Sequence, residues 1–109
     1  MTEFLQHHLR LINHLFEIEK RVSGKADAEV LARTVGRMKN IFDDMGYLIH
    51  NPQGEKYEIT RSDCQASVLG DSVDNLVIVE VLKPLVYLRE DGDRRRLIQQ
   101  GVVMVSAAG

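Results

Sequence analysis

The sequence has no tryptophan, one cysteine, two prolines and only 6% aromatic residues. A lone cysteine, Cys64, cannot form an internal disulfide and cannot supply the several thiolates of a structural zinc site. The scarcity of aromatic rings disfavours a surface that stacks nucleic-acid bases. Long apolar runs are also absent, because the longest stretch without a charged residue, 97–109, is shorter than the roughly 18 residues that a membrane-spanning helix requires. We therefore expect no membrane partner.

The chain has no excess of positive charge either, with 14 Lys and Arg against 16 Asp and Glu and a net charge of -2. Its one basic run, residues 94–96, follows Glu90, Asp91 and Asp93, which cancel much of its field. Nucleic-acid binding depends on clustered cations, so we expect no nucleic-acid partner. The N-terminal residues lack the basic, apolar and small-residue pattern of a secretory signal, and this predicts a cytoplasmic protein.

Apolar residues in the first half of the chain recur with a helical period. In the first segment Leu5, Leu9, Ile12 and Phe16 follow steps of four and three residues, and a second stripe runs beside them. In the second segment the same steps connect Leu31, Val35, Met38, Phe42 and Met45. The pattern therefore predicts an antiparallel helical hairpin within residues 1–46.

The predicted helices have recognisable ends. Ser23 and Gly24 interrupt the period, Asp27 is the expected N-cap of the second helix, and Gly46 suits a left-handed C-cap. Within the second helix, Gly36 costs about 1 kcal/mol relative to alanine. That cost would be tolerated if another backbone packs closely at this position.

Residues 47–109 lose the helical period and alternate β-branched runs with turn residues, which predicts a compact β-sandwich or small barrel. Two of its strands, 76–81 and 102–105, are apolar on both faces and are expected to be covered on both sides. The candidate strands are 56–59, 65–69, 76–82, 85–88, 96–99 and 102–106. The predicted fold class is thus α+β, with a helical region at 1–46 and a small all-β domain at 47–109.

The two predicted helices have wider apolar faces than one hairpin can bury. A symmetric homodimer in which two hairpins form a four-helix bundle would cover them. The expected interface residues are Leu9, Ile12, Phe16, Leu31, Met38 and Phe42.

No constellation of catalytic or metal-binding residues stands out. His7, His8 and His14 have no pair at the four-residue spacing that places two imidazoles on one helical face for a metal. Cys64 is the one candidate nucleophile, with His50 as a conceivable activator. We expect neither a metal nor a cofactor, and we expect no enzyme, although a small enzyme using Cys64 stays open as an alternative.

Four segments of the chain resemble the GrpE family of nucleotide exchange factors, and the first of them is LRLINHLFEIEK in the first predicted helix. The stretch MGYLIHNPQGEKYEITRSD is similar to the family's junction after its last helix, through Pro52, Gly54 and Tyr57. NLVIVEVLKPLVYL resembles the family's valine-rich strand, and RLIQQGVVMVSAAG resembles its closing strand. The similarity runs in the family's order over about residues 5–106, although the family's long N-terminal coiled coil has no counterpart here.

The resemblance implies a stress-response co-chaperone, a homodimer that binds the nucleotide-binding domain of a DnaK-type chaperone and promotes ADP release. It places the chaperone contact at Arg96 and its apolar neighbour Val105, with Tyr57 as a third candidate. The alternative is a GrpE-like dimeric adaptor that lacks exchange activity.

Overall fold

The computed structural model of the protein describes residues 3–25 and 28–108, in which two N-terminal helices precede a β-rich part. This arrangement confirms the predicted α+β class. The chain divides into two units, Met1–Leu48 and Ile49–Gly109. We refer to them as the helical unit and the β unit.

The helical unit consists of α1, Glu3–Val22, and α2, Glu29–Asp44. Each helix buries one stripe of its surface, as the apolar spacing predicts. The buried apolar side chains of the two helices are Ile12, Leu15, Phe16, Val35 and Phe42. Within the described residues, neither helix is apolar enough over a sufficient length to cross a bilayer.

Two contacts between distant residues show that the hairpin is antiparallel. Lys39 Nζ, in the second half of α2, lies 3.0 Å from Glu19 Oε2, near the end of α1. The ring of His8, in the first half of α1, meets the ring of Tyr47 edge-on, and His8 Nδ1 lies within hydrogen-bond distance of the Tyr47 hydroxyl. Residues late in α1 therefore contact α2, and residues early in α1 contact the segment after α2.

Glycines end both helices in the manner predicted. After α1, Gly24 has φ +77°, and the Ser23 N–H donates to the Glu19 carbonyl at 3.1 Å. After α2, Gly46 has φ +102°, and its N–H donates to the Asp43 carbonyl at 2.9 Å. Only glycine adopts such positive φ values without steric cost. Asp27, the expected N-cap of α2, lies outside the described residues.

In the described part of the chain, strands begin at Tyr47. Their bounds are β1 Tyr47–His50, β2 Lys56–Tyr57, β3 Cys64–Val68, β4 Leu76–Lys83, β5 Leu85–Arg89, β6 Arg95–Gln99 and β7 Gly101–Ala107. Six of these elements overlap the predicted strands. The prediction missed β1, because YLIH is too short and too close to the helix end to show its own alternation.

The strands form two sheets, of order β1-β5-β6 and β2-β4-β7-β3. Strand β7 occupies an interior position in the second sheet, antiparallel to β4 and parallel to β3. Leu85 at the start of β5 packs on Gly101 of β7, where an added methyl would lie 2.9 Å from Leu85 Cδ1 and 3.1 Å from Cys64 Sγ. The two sheets thus meet at a close contact in which a side chain at position 101 would force Leu85 to shift.

The expectation that both apolar strands are covered on both faces holds for β7 but is wrong for β4. In β7, residues 101–106 are all buried or half-buried. In β4, Val79 and Leu82 are exposed although Ile78 and Val81 are buried. On its outer edge, β4 is paired only by the two-residue β2, at Leu76 and Val77. Beyond that point β4 has no described strand on its outer side.

Among the described residues of a single chain, no other backbone packs closely at Gly36. A methyl group added there would have no heavy atom within 4 Å, and φ is not positive. Glycine at this position therefore costs helix propensity without a packing benefit.

We predict that Gly36→Ala raises the free energy of unfolding by about 0.5 to 1 kcal/mol, because alanine restricts the unfolded chain and fits the open space. Urea unfolding followed by circular dichroism measures the change. Gly101→Ala is the matched comparison and should destabilise the protein, since its methyl collides with Leu85. A loss of stability in Gly36→Ala would contradict the assignment of open space at this position.

Candidate functional site

Charged side chains on both sides of β2 converge on one arginine, and we call His50, Glu55, Arg61 and Asp63 the Arg61 cluster. Arg61 Nη2 donates to Glu55 Oε1 at 2.7 Å, and its Nε donates to Asp63 Oδ1 at 2.6 Å. Arg61 Nη1 donates to the Lys56 carbonyl at 3.0 Å. On the outer side of the cluster, His50 Nε2 lies 2.5 Å from Glu55 Oε2. The Arg61 guanidinium therefore links the segment before β2 to the segment after it.

The Arg61 cluster shifts the ionisation of its carboxyl groups. Partial burial alone would raise the pKa of Glu55, but hydrogen bonds from Arg61 and His50 outweigh it and hold that pKa below its usual value. The pKa of Asp63 is lowered in the same way, since the hydrogen bond and charge of Arg61 exceed the effect of burial. The hydrogen bond that Arg61 donates to Asp63 raises the pKa of Arg61 in turn. Arg61, Glu55 and Asp63 thus stabilise one another in their ionised forms.

Cys64, the candidate nucleophile, is buried at the start of β3. Burial and the neighbouring Asp63 carboxylate raise the pKa of its thiol to about 11. His50 is paired with Glu55 in the Arg61 cluster, so the structure does not bring His50 and Cys64 together as base and nucleophile. A protonated, buried thiol is a poor nucleophile.

Arg96, the first residue implied in chaperone contact, lies on β6 in the hairpin that β6 forms with β5. Its side chain is 58% exposed, and its Nε lies 3.9 Å from Glu90 Oε2, which is also solvated. Such an exposed pair is weak. Arg96 is therefore available to a partner at little cost.

The structure separates the other two implied contact residues from Arg96. Val105 is fully buried in β7, so we correct its assignment from partner contact to core. Tyr57 is half-buried in β2 and lines a groove of about 550 Å³, together with Ile59, Val68 and Leu76. The three residues thus fall on the β5–β6 hairpin, in the core and in the four-stranded sheet, and they do not form one site.

The expected dimer-interface residues differ in how far they are buried in the single chain. Ile12, Phe16 and Phe42 are already buried within a single chain. Leu31 and Met38 are exposed, and Leu9 is half-buried. The spacing that identified them is shared by the inner and outer faces, so periodicity alone could not distinguish the two.

Further apolar side chains of the helical unit are exposed. On α1 they recur every seven residues, at Phe4, Leu11 and Ile18. On α2 and just after it the exposed apolar residues are Val30, Leu31, Met38, Ile41 and Met45. We call these eight residues the hairpin face.

One histidine of α1, His8, packs against two aromatic rings. His8 lies between the rings of Phe4 and Tyr47, at centroid distances of 4.4 and 5.4 Å. Across residues 3–25 and 28–108, no group of three or more His, Cys, Asp or Glu side chains is placed to hold a metal ion.

Comparison with known proteins provides no relative: no family model, no curated protein and no solved structure matches this chain.

Sequence reasoning missed the Arg61 cluster. Its members are separated by loop residues with no periodicity, and their pairing depends on how the chain turns around β2. The only signal was the density of opposite charges over residues 55–63.

We predict that Arg61→Gln lowers the free energy of unfolding at pH 7 by about 1 to 2 kcal/mol, because charged hydrogen bonds to two carboxylates are lost. Folding lowers the pKa of both carboxyls, so their stabilisation is present above their ordinary pKa and disappears as the pH falls through the folded values. The parent protein should therefore lose stability on acidification more steeply than the variant. Urea midpoints measured from pH 7 to pH 3 test this.

Lys56→Gln provides the matched control, since it removes the same charge from an exposed pair with Glu58. It should change stability by less than about 0.5 kcal/mol. Equal losses in the two variants would show that Arg61 acts as net charge and not through its hydrogen bonds.

We predict that Cys64 reacts with iodoacetamide at pH 8 at least about a hundredfold more slowly in the native protein than in urea, because the thiol is buried and protonated. Mass spectrometry of timed samples measures both rates. Fast native labelling would instead support the enzyme alternative.

Proposed function

We propose that the protein is a GrpE-like co-chaperone, a homodimer that binds the nucleotide-binding domain of a DnaK-type chaperone and promotes ADP release. One observation carries the proposal: a helical hairpin with an exposed apolar face precedes a small β unit that presents an exposed arginine. This is the order of parts that the resemblance implies.

The hairpin face supports the dimer. Leu11 is 57% exposed and Ile41 is 58% exposed, and the remaining six residues extend the same apolar stripes along the two helices. Exposed apolar stripes of this extent are uncommon on monomers and favour association. A second hairpin of the same chain offers a matching surface, and the pair would form a four-helix bundle.

Nucleotide exchange requires no chemistry from this chain. A partner that binds the open, empty chaperone more tightly than the nucleotide-bound form must weaken nucleotide binding by the same factor. The requirement is a rigid surface that fits only the open lobes. Paired strands meet this requirement better than loops would, which supports a contact through the β unit.

Within the β unit, Arg96 is the proposed chaperone contact. Its guanidinium extends from a paired strand, and its weak pair with Glu90 can exchange for a carboxylate on the chaperone. Tyr57 is a secondary candidate beside the groove.

One observation favours the alternative, a GrpE-like adaptor without exchange activity. Where the GrpE family has a His-Glu-Ala segment after the junction, this chain has Ser62, Asp63 and Cys64, and two of these stabilise the protein's own structure. Asp63 accepts a hydrogen bond from Arg61, and Cys64 is buried beside Gly101 of β7. Side chains engaged in this way are not available to a chaperone.

For the dimer, we predict that Leu11→Glu combined with Ile41→Glu yields a monomer at micromolar concentration, because both charges would be buried in the bundle. The control is Gln6→Glu combined with Asn40→Glu, which adds the same charge at exposed polar positions. Sedimentation velocity distinguishes the species. A parent protein that already sediments as a monomer would contradict the dimer.

For exchange, we predict that the dimer accelerates release of labelled ADP from a DnaK-type chaperone of its own organism. Arg96→Ala should reduce the acceleration by less than about tenfold, mainly through association, because the side chain is exposed. Stopped-flow fluorescence measures the release. Binding without acceleration would favour the adaptor, and the absence of both would exclude the chaperone as a partner.

A further inference from the structure

Two histidines alternate with the exposed apolar residues of α1. The α1 row, in steps of three and four residues, consists of Phe4, His7, Leu11, His14 and Ile18. Steps of this kind place side chains along one stripe of a helix. Both histidines are exposed, and they line one surface depression together with Arg10 and Leu11. The hairpin face therefore includes two imidazoles on α1 as well as apolar side chains.

The exposed row of α2 has the same spacing. It consists of Leu31, Thr34, Met38, Ile41 and Met45. The polar group of Thr34 is satisfied within its own helix, because its hydroxyl donates to the Val30 carbonyl at 3.2 Å. In contrast, His7 and His14 have no hydrogen bond or ion pair within residues 3–25 and 28–108. The two imidazoles are thus the polar groups whose environment a second copy would change most.

A second hairpin that covers the hairpin face also covers these histidines. His7 lies between Phe4 and Leu11 in the α1 row, and His14 lies between Leu11 and Ile18. An imidazole can be buried in its neutral form, whereas a buried charge is costly unless a carboxylate pairs with it. Histidine is the side chain that ordinarily changes its charge between pH 5 and pH 8. Association through this face therefore favours the neutral form.

The charged side chains that flank the two rows do not reverse this preference. On α1 they are Glu3, Arg10, Glu17 and Arg21, and on α2 they are Arg37 and Asp44. The three carboxylates are matched by three arginines, all of them exposed, so water and salt screen their fields. Those on α1 also flank the histidines in the free protomer, and they therefore act on both states alike. Burial of the imidazoles is the larger effect.

We propose that His7 and His14 lie in the contact between two copies of this chain, and that protonation of the two imidazoles separates the copies. The inference rests on the proposed homodimer and adds its regulation by pH. Protons that the free protomers bind in acid must be released when the copies associate. By linkage, the dissociation constant of the dimer therefore rises as the pH falls.

The test measures this dissociation constant by sedimentation velocity at pH 7.5 and at pH 5.5. In the parent it should rise at least about a hundredfold, which is the effect of one ordinary histidine per protomer that must be neutral in the dimer. The combined variant His7→Gln and His14→Gln has no titrating imidazole in the α1 row. Its constant should change by less than about threefold, because glutamine carries no charge at either pH.

The single variants His7→Gln and His14→Gln should each show a smaller rise than the parent. They decide the question if the combined variant fails to associate at pH 7.5. The carboxyls of Glu55 and Asp63 have lowered pKa values and stay ionised across this range, so the Arg61 cluster is retained. Circular dichroism at both pH values shows that each protein is folded.

The remaining two histidines of the chain provide matched controls. His50→Gln removes an imidazole from the β unit, where His50 pairs with Glu55. His8→Gln removes one that packs on Phe4 and Tyr47 within the helical unit. Both variants should keep the pH dependence of the parent. If His8→Gln abolishes it, the pH acts through the packing of a single hairpin and the proposal is wrong.

The outcomes separate this inference from the homodimer itself. A parent protein that is equally dimeric at both pH values would refute the inference while the homodimer stands, and so would a combined variant that still dissociates in acid. A parent that is monomeric at pH 7.5 would exclude a second copy as the occupant of the hairpin face, and the homodimer and the inference would both be overturned.

Discussion

The β unit depends on the position of β7. This strand hydrogen-bonds to β4 on one side and to β3 on the other, and its small first residue lets Leu85 approach from the second sheet. The sheet order follows from it, because β3 and β4 are consecutive in the chain but do not pair with each other. The deepest side chains of the unit, including Ile78, Val81, Leu85, Val103 and Val105, surround this strand.

Folding of the helical unit buries only part of the apolar surface of its two helices. Ile12, Phe16 and Phe42 become buried when the two helices pack, and this accounts for one apolar stripe of each helix. The hairpin face remains in water, and a surface that a chain leaves uncovered is a candidate for a second copy. Apolar residues thus recur with the same spacing on the buried stripe and on the exposed stripe of each helix. The two stripes are related by a rotation about the helix axis.

Arginines have three different roles in the β unit. Arg61 is enclosed by carboxylates and stabilises the segments around β2. Arg96 has a distant, solvated acidic neighbour. Arg95 is stacked on Tyr87 opposite another arginine, so its charge is oriented without being neutralised by a described carboxylate. The environment of a guanidinium, more than its presence, decides whether it stabilises the fold or is available to a partner.

The sequence by itself determined the class of each half, the ends of both helices at Gly24 and Gly46, and the approximate position of every strand except β1. These features depend on local periodicity and on the conformational freedom of glycine, which a reader of the sequence can recognise. Tertiary structure alone decided that Val105 is core, that Phe42 is buried with its ring against Tyr47, and that Arg61 donates hydrogen bonds to two carboxylates. It also decided that Arg89 faces Arg95, because the geometry of the turn sets the register of the β5–β6 hairpin and the alternation of residues does not fix it.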